Sequence, residues 1–82
     1  MYLTQYEHSW GIGQTPEESR KVARQHGGRG TRWATFSLPT GAKNVSVDDF
    51  GDIRWTWSED ATCKTARPIK VAEGRGLARQ ES

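Results

Sequence analysis

Few side chains in this sequence are equipped for covalent or metal chemistry. Cys63 is its one thiol, and His8 and His26 are its two imidazoles. A structural zinc site takes three or four Cys, His or carboxylate ligands at short spacings, and these three residues stand far apart. Nucleophilic catalysis needs a nucleophile, a base and an orienting group held together, and nothing in the spacing joins Cys63 to either histidine. Simpler roles suit each. Cys63 reads as a small core or edge residue of a strand, His26 as a cation at a helix C-terminus and His8 as a packed or hydrogen-bonded neighbour of aromatic residues. Asp48, Asp49 and Asp52 lack the alternating oxygen ligands and closing Glu of a calcium loop, so they read as a solvated hairpin turn around Gly51. The expectation is a non-enzyme with no catalytic set, no metal ligands and no cofactor.

Two patterns remain as candidates for binding. A basic run, Arg20, Lys21, Arg24, Arg29 and Arg32, ends against Trp33, and arginine beside an outward aromatic can grip phosphate and stack on bases. The same run also reads as a solvated helix face followed by an ordinary loop. The second pattern is the tryptophan load: Trp10, Trp33, Trp55 and Trp57 in 82 residues. Tryptophan and arginine are enriched at protein-binding hot spots, although all four rings could also fill a core short of aliphatic residues. Gly11-Ile12-Gly13 before a helix has the look of a phosphate-binding turn. It lacks the third glycine of the dinucleotide fingerprint, and Pro16 removes one N–H from the helix start, so a tight structural turn is the plainer reading.

The elements that would position these groups follow from periodicity and punctuation. Tyr2, Tyr6, Trp10 and Ile12 fall at even positions over residues 2–12, which predicts one half-buried strand with its aromatic face inward. Thr15, Pro16 and Glu18 form an N-cap, a first-turn proline and a capping box. The helix they start turns Ser19, Val22, Ala23 and His26 to one face and stops at Gly27-Gly28. Thr31–Leu38 predicts a second strand with Ala34, Phe36 and Leu38 facing the core and Trp33 on the other side. Asn44–Val47 and Ile53–Trp57 predict a hairpin, and Cys63–Val71 a fifth strand that Pro68 marks as an edge or a bulge. The result is an α+β two-layer sandwich in the order β-α-β-β-β(-β), one helix on a four- to five-stranded, mostly antiparallel sheet. Residues 1–71 make one domain and 72–82 a flexible polar tail.

Residues Gly11 to Arg24, with Thr15, Glu17 and Glu18 at the helix start, resemble the strand–turn–helix of small HicB-type antitoxins. The likeness stops there and implies no function. Size and composition add boundaries. A chain of 82 residues has room for one thin core and little for a deep substrate cleft. One cysteine permits no internal disulfide, which suits a reducing, cytoplasmic setting, and no run of apolar residues is long enough to span a membrane. The net charge of +2 hides a polarised chain, basic at 20–32 and acidic at 48–60.

The sequence therefore predicts a small binding protein whose partner is another protein, docked through an exposed sheet face or edge, with Arg24, Arg29, Arg32, Trp33 and Trp57 as the candidate contacts. By analogy alone, accessory proteins of phages and mobile elements, including inhibitors of host machinery, share this profile. The rival expectation is an RNA- or single-stranded-DNA-binding module using the same arginines and Trp33. An unpaired edge strand would also allow a homodimer.

Overall fold

Local chemistry cuts the described residues into seven elements. The computed structural model of the chain describes residues 1–62 and 64–74. Strands β1 (Tyr2–Tyr6) and β2 (Trp10–Gly13) precede helix α1 (Pro16–Gln25), and strands β3 (Trp33–Ser37), β4 (Ala42–Val47), β5 (Ile53–Trp57) and β6 (Ile69–Glu73) follow. Four strands form an antiparallel sheet in the order β2-β1-β3-β6, and β4 and β5 pair as a separate hairpin. The α+β fold with one helix on an antiparallel sheet is thus as the sequence predicts. The particulars differ in three places.

The first difference is at the N-terminus. The predicted single strand over residues 2–12 is two strands joined by a turn at Glu7-His8-Ser9, closed by Tyr6 N–H donating to Ser9 O at 2.8 Å. The turn reverses the alternation. Tyr6 lies opposite Trp33, whereas Trp10 lies opposite Gln5. Opposite residues share a face in an antiparallel ladder, so the two aromatics point to opposite sides of the sheet. One face carries Leu3, Gln5, Trp10, Ile12, Ala34 and Phe36. The other carries Thr4, Tyr6, Gly11, Gly13, Trp33 and Thr35.

The helix packs on the second face, over β2 and β1. Thr15 accepts from Glu18 N–H as the N-cap, and Glu18 reaches back to Gln14 N–H. Ser19 and Ala23 are its buried residues. The close approach depends on Gly11 and Gly13. A Cβ on Gly11 would press on the backbone of Val22 and Ala23, and one on Gly13 would lie 2.6 Å from Ser19 N. These glycines therefore sit inside a strand and let the helix close on it; they are neither a turn nor a phosphate loop. β2 and β3 both run antiparallel to β1 and flank it, so the β2–α1–β3 connection carries the helix across β1.

The second difference concerns what covers the apolar face. Ala34, Phe36 and Leu38 are buried as the sequence predicts, together with Leu3. Their cover is the β4–β5 hairpin, which sets Val45, Val47 and Ile53 against them with Trp10 and Ile12 alongside. Both faces of the central strands are therefore covered, which is why Thr4 and Thr35 are as deeply buried as Leu3. The hairpin separates from the main sheet because β3 already has β1 on one side and β6 on the other.

The third difference is at the C-terminal end. β6 begins at Ile69, directly after Pro68, and includes Ala72 and Glu73, which the predicted boundary at 71 left outside. It is an edge strand with a register shift opposite Thr35 and Phe36. Residues 75–82, the rest of the predicted tail, and Cys63 lie outside the described residues.

Candidate functional site

The helix leaves the β6 margin of its own face of the sheet open. It sits over β2 and β1 and reaches β3 through Arg20, so Thr35 is buried while β6 stays at the open border. There Arg20 lays its guanidinium over the Trp33 ring at 4.8 Å from the ring centre. A shallow hollow of about 220 Å³ opens beside this stack, lined by Pro16, Glu17, Arg20, Trp33, Thr35 and Ala72. Gly74 closes the far side of Trp33: its N–H donates to Trp33 O at 2.9 Å, and a Cβ there would meet Thr31 O and the indole. Beyond the hollow, β6 exposes Ile69 (67%) and Val71 (48%). Large apolar side chains this open on an edge strand are unusual, because natural edges are commonly protected.

The candidate contacts from the sequence fall on different surfaces. Trp33 lies off the main core face, half-buried against Arg20. Arg24 is exposed in the last helical turn and Arg29 in the loop after it. Arg32 is tied to Glu7 by an exposed ion pair of 3.3 Å. Trp57 does not join them. It belongs to the hairpin, on the opposite side of the main sheet from the helix, and packs edge-on against Trp55 with ring centres 5.7 Å apart. Grouping Trp57 with the arginines is therefore corrected: separation of β4–β5 into its own sheet carries the residue away. None of the four tryptophans is fully buried or fully exposed. Arg20, part of the basic run, and Ala72 line the hollow, and neither is among the five contacts the sequence predicts. Their place depends on where the helix lands across the sheet, which periodicity does not encode.

A larger groove of about 560 Å³ lies at the end of the sheet between the β1–β2 turn and the β4–β5 turn. Its walls include Gln5, Glu7, His8, Trp10, Arg32 and Asp49. Its floor is built by Gln5, whose Nε2 donates to Gly51 O, and by Asp48. The Asp48 carboxylate accepts from Asp52 N–H and Phe50 N–H through Oδ1 and from Arg54 Nε through Oδ2, each at 2.9 Å. The Asp52 amide, with Arg54 and the Phe50 amide behind it, holds this carboxyl below the usual Asp range, against a smaller opposing effect of burial. Asp48 is thus a structural clasp of the hairpin turn, which matches the turn the sequence predicts there. His8 is exposed on the rim, with no hydrogen bond or ion pair among the described residues. His26 lies on the helix C-cap and donates from Nδ1 to Trp10 O at 3.0 Å, which ties the helix to β2. Among the described residues, no three His, Cys, Asp or Glu side chains are grouped to hold a metal ion, and no helix is long and apolar enough to cross a membrane.

Comparison with protein-family models, curated proteins and solved structures finds no match for this chain.

Proposed function

We propose that this protein is a non-catalytic binding domain that docks an acidic protein segment on the open β3–β6 margin of its helix-side face. The observation that carries this reading is the Arg20–Trp33 stack standing over an open hollow. Arginine and tryptophan are the residue types most often found at binding hot spots. The hollow, at about 220 Å³, falls below the roughly 300–1,000 Å³ of small-molecule pockets. It suits one apolar side chain of a partner. Arg20, Lys21 and Arg24 are exposed along the helix beside it, and their charge favours Asp or Glu flanking that anchor. Cytoplasmic location goes with this reading, since a chain with one cysteine stands on packing without a disulfide.

Nucleic acid is the weaker occupant of the same surface. The face of Trp33 that a base would stack on carries the Arg20 guanidinium, Arg32 is engaged by Glu7, and Glu17 lines the hollow. Selection from a random-peptide display library tests the choice. Enriched peptides should join a Leu or aromatic residue to Asp or Glu and should lose binding to Arg20→Glu and Ile69→Asp variants, both changed at exposed positions. Enrichment of basic peptides, or binding indifferent to both changes, contradicts the proposal. Salt-sensitive binding to oligonucleotides in place of peptides would favour the nucleic-acid reading.

A further inference from the structure

We infer that two copies of this chain pair through β6, joining their four-stranded sheets edge to edge around a two-fold axis. The outer edge of β6 carries no strand among the described residues, and an open edge with exposed Ile69 and Val71 is a template for another strand. A lysine and a bulge on such an edge ordinarily discourage pairing. Here they select the partner. The ladder to β3 pairs Ser37 with Ile69, Phe36 with Lys70, Thr35 with Ala72 and Ala34 with Glu73, so Val71 is the extra residue. The bulge shifts the alternation and puts Lys70 and Glu73 on one face, where they form an ion pair of 3.1 Å within the chain. Ile69 and Ala72 share the opposite, helix-side face.

An antiparallel copy centred on Ala72, with Val71 left unpaired in both strands as it is against β3, places Lys70 opposite Glu73 of the partner subunit, and Glu73 opposite the partner's Lys70. Facing residues then agree in side as well as in charge, which an arbitrary strand would not offer. The same register sets Ile69 of the partner subunit against Gly74, next to Trp33. Each docking hollow would therefore gain an apolar wall from the other copy, and the two hollows would lie on one continuous face.

Sedimentation equilibrium of the full chain tests the pairing. The unaltered protein should dimerise with rising concentration. Lys70→Glu and Glu73→Lys, each made alone, put like charges at both crossings and should weaken association on the order of tenfold or more. An equimolar mixture of the two variants restores opposite charges at both crossings and should dimerise again, which an ion pair confined within one chain cannot produce. Amide exchange in the unaltered chain checks the result without substitutions: outward-facing β6 amides should gain protection as concentration rises. An unaltered chain that stays monomeric, variants that dimerise unimpaired, or a mixture that fails to recover each overturn the inference. The docking reading fails separately. A monomer that still binds acidic peptide sinks only the pairing, and a dimer that binds none sinks only the docking.

Discussion

Replacing Thr4 with valine should strand a buried hydroxyl, and a second substitution should partly repair the damage. Thr4, Ser19 and Thr35 are essentially inaccessible to solvent. Thr4 Oγ1 lies 2.7 Å from Ser19 Oγ and 2.6 Å from Thr35 Oγ1. Ser19 Oγ donates to Pro16 O at 2.8 Å, and a carbonyl can only accept. Each hydroxyl has one proton. Thr4 must therefore donate to Ser19, and Thr35 must donate to Thr4, so the protons run in one direction from sheet to helix. Thr4→Val keeps the side-chain shape but leaves the Thr35 O–H without an acceptor, at a cost of about 1–3 kcal/mol for a buried unsatisfied group. Thr35→Val leaves Thr4 still donating to Ser19 and loses one ordinary hydrogen bond, about 0.5–1.5 kcal/mol. The double variant has no stranded donor and should be more stable than Thr4→Val alone. Urea unfolding at constant m-value resolves these differences, and melting should shift by roughly 4–8 °C per kcal/mol for a domain of this size. Additive losses in the double variant, or Thr35→Val costing more than Thr4→Val, would refute the direction of the chain.

Other substitutions separate close packing from backbone strain and charge. Gly11→Ala drives a Cβ into the backbone of Val22 and Ala23, so it should cost at least the roughly 1–3 kcal/mol of core overpacking. Gly27→Ala meets nothing within 4 Å and suffers only from its φ of +108°, about 1–2 kcal/mol; melting curves that reverse this order would contradict the helix placement. Asp48 has a folded pKa below its ordinary value. Its contribution to the hairpin is therefore complete at neutral pH and is lost as pH falls through that depressed value. Asp48→Asn should flatten the acid limb of a plot of melting temperature against pH, and an unchanged limb would show that the clasp contributes nothing.

Much of the fold is legible in the sequence where local chemistry decides it. Thr15, Pro16 and Glu18 place the helix start, Ala34, Phe36 and Leu38 mark a core face, and Pro68 marks the edge strand. What escapes is set by long-range pairing. The turn at Glu7-His8-Ser9 holds neither glycine nor proline, so the even-numbered aromatics read as one strand although they straddle a reversal. Ser19 lies on the predicted packing face of the helix, but nothing local marks Thr4 and Thr35 as core residues; their burial follows from cover on both sides of β1 and β3. The site divides the same way. Trp33 and the basic run are visible as residue types, but bringing Arg20 and Ala72 into one hollow, and sending Trp57 to the other side of the sheet, requires knowing that the helix sits over β2 and that β4–β5 leaves the sheet.

Docking on the open β3–β6 margin is tested most directly by titrating an acidic peptide with one central Leu or Phe into isotope-labelled protein and following amide and indole resonances. The expected shifts fall on Pro16–Arg20, the Trp33 indole and Ile69–Glu73, with Arg20→Glu abolishing them. Shifts confined to the groove at Glu7–Trp10 and Asp48–Gly51, or saturating peptide that leaves the Trp33 indole unmoved, would contradict it.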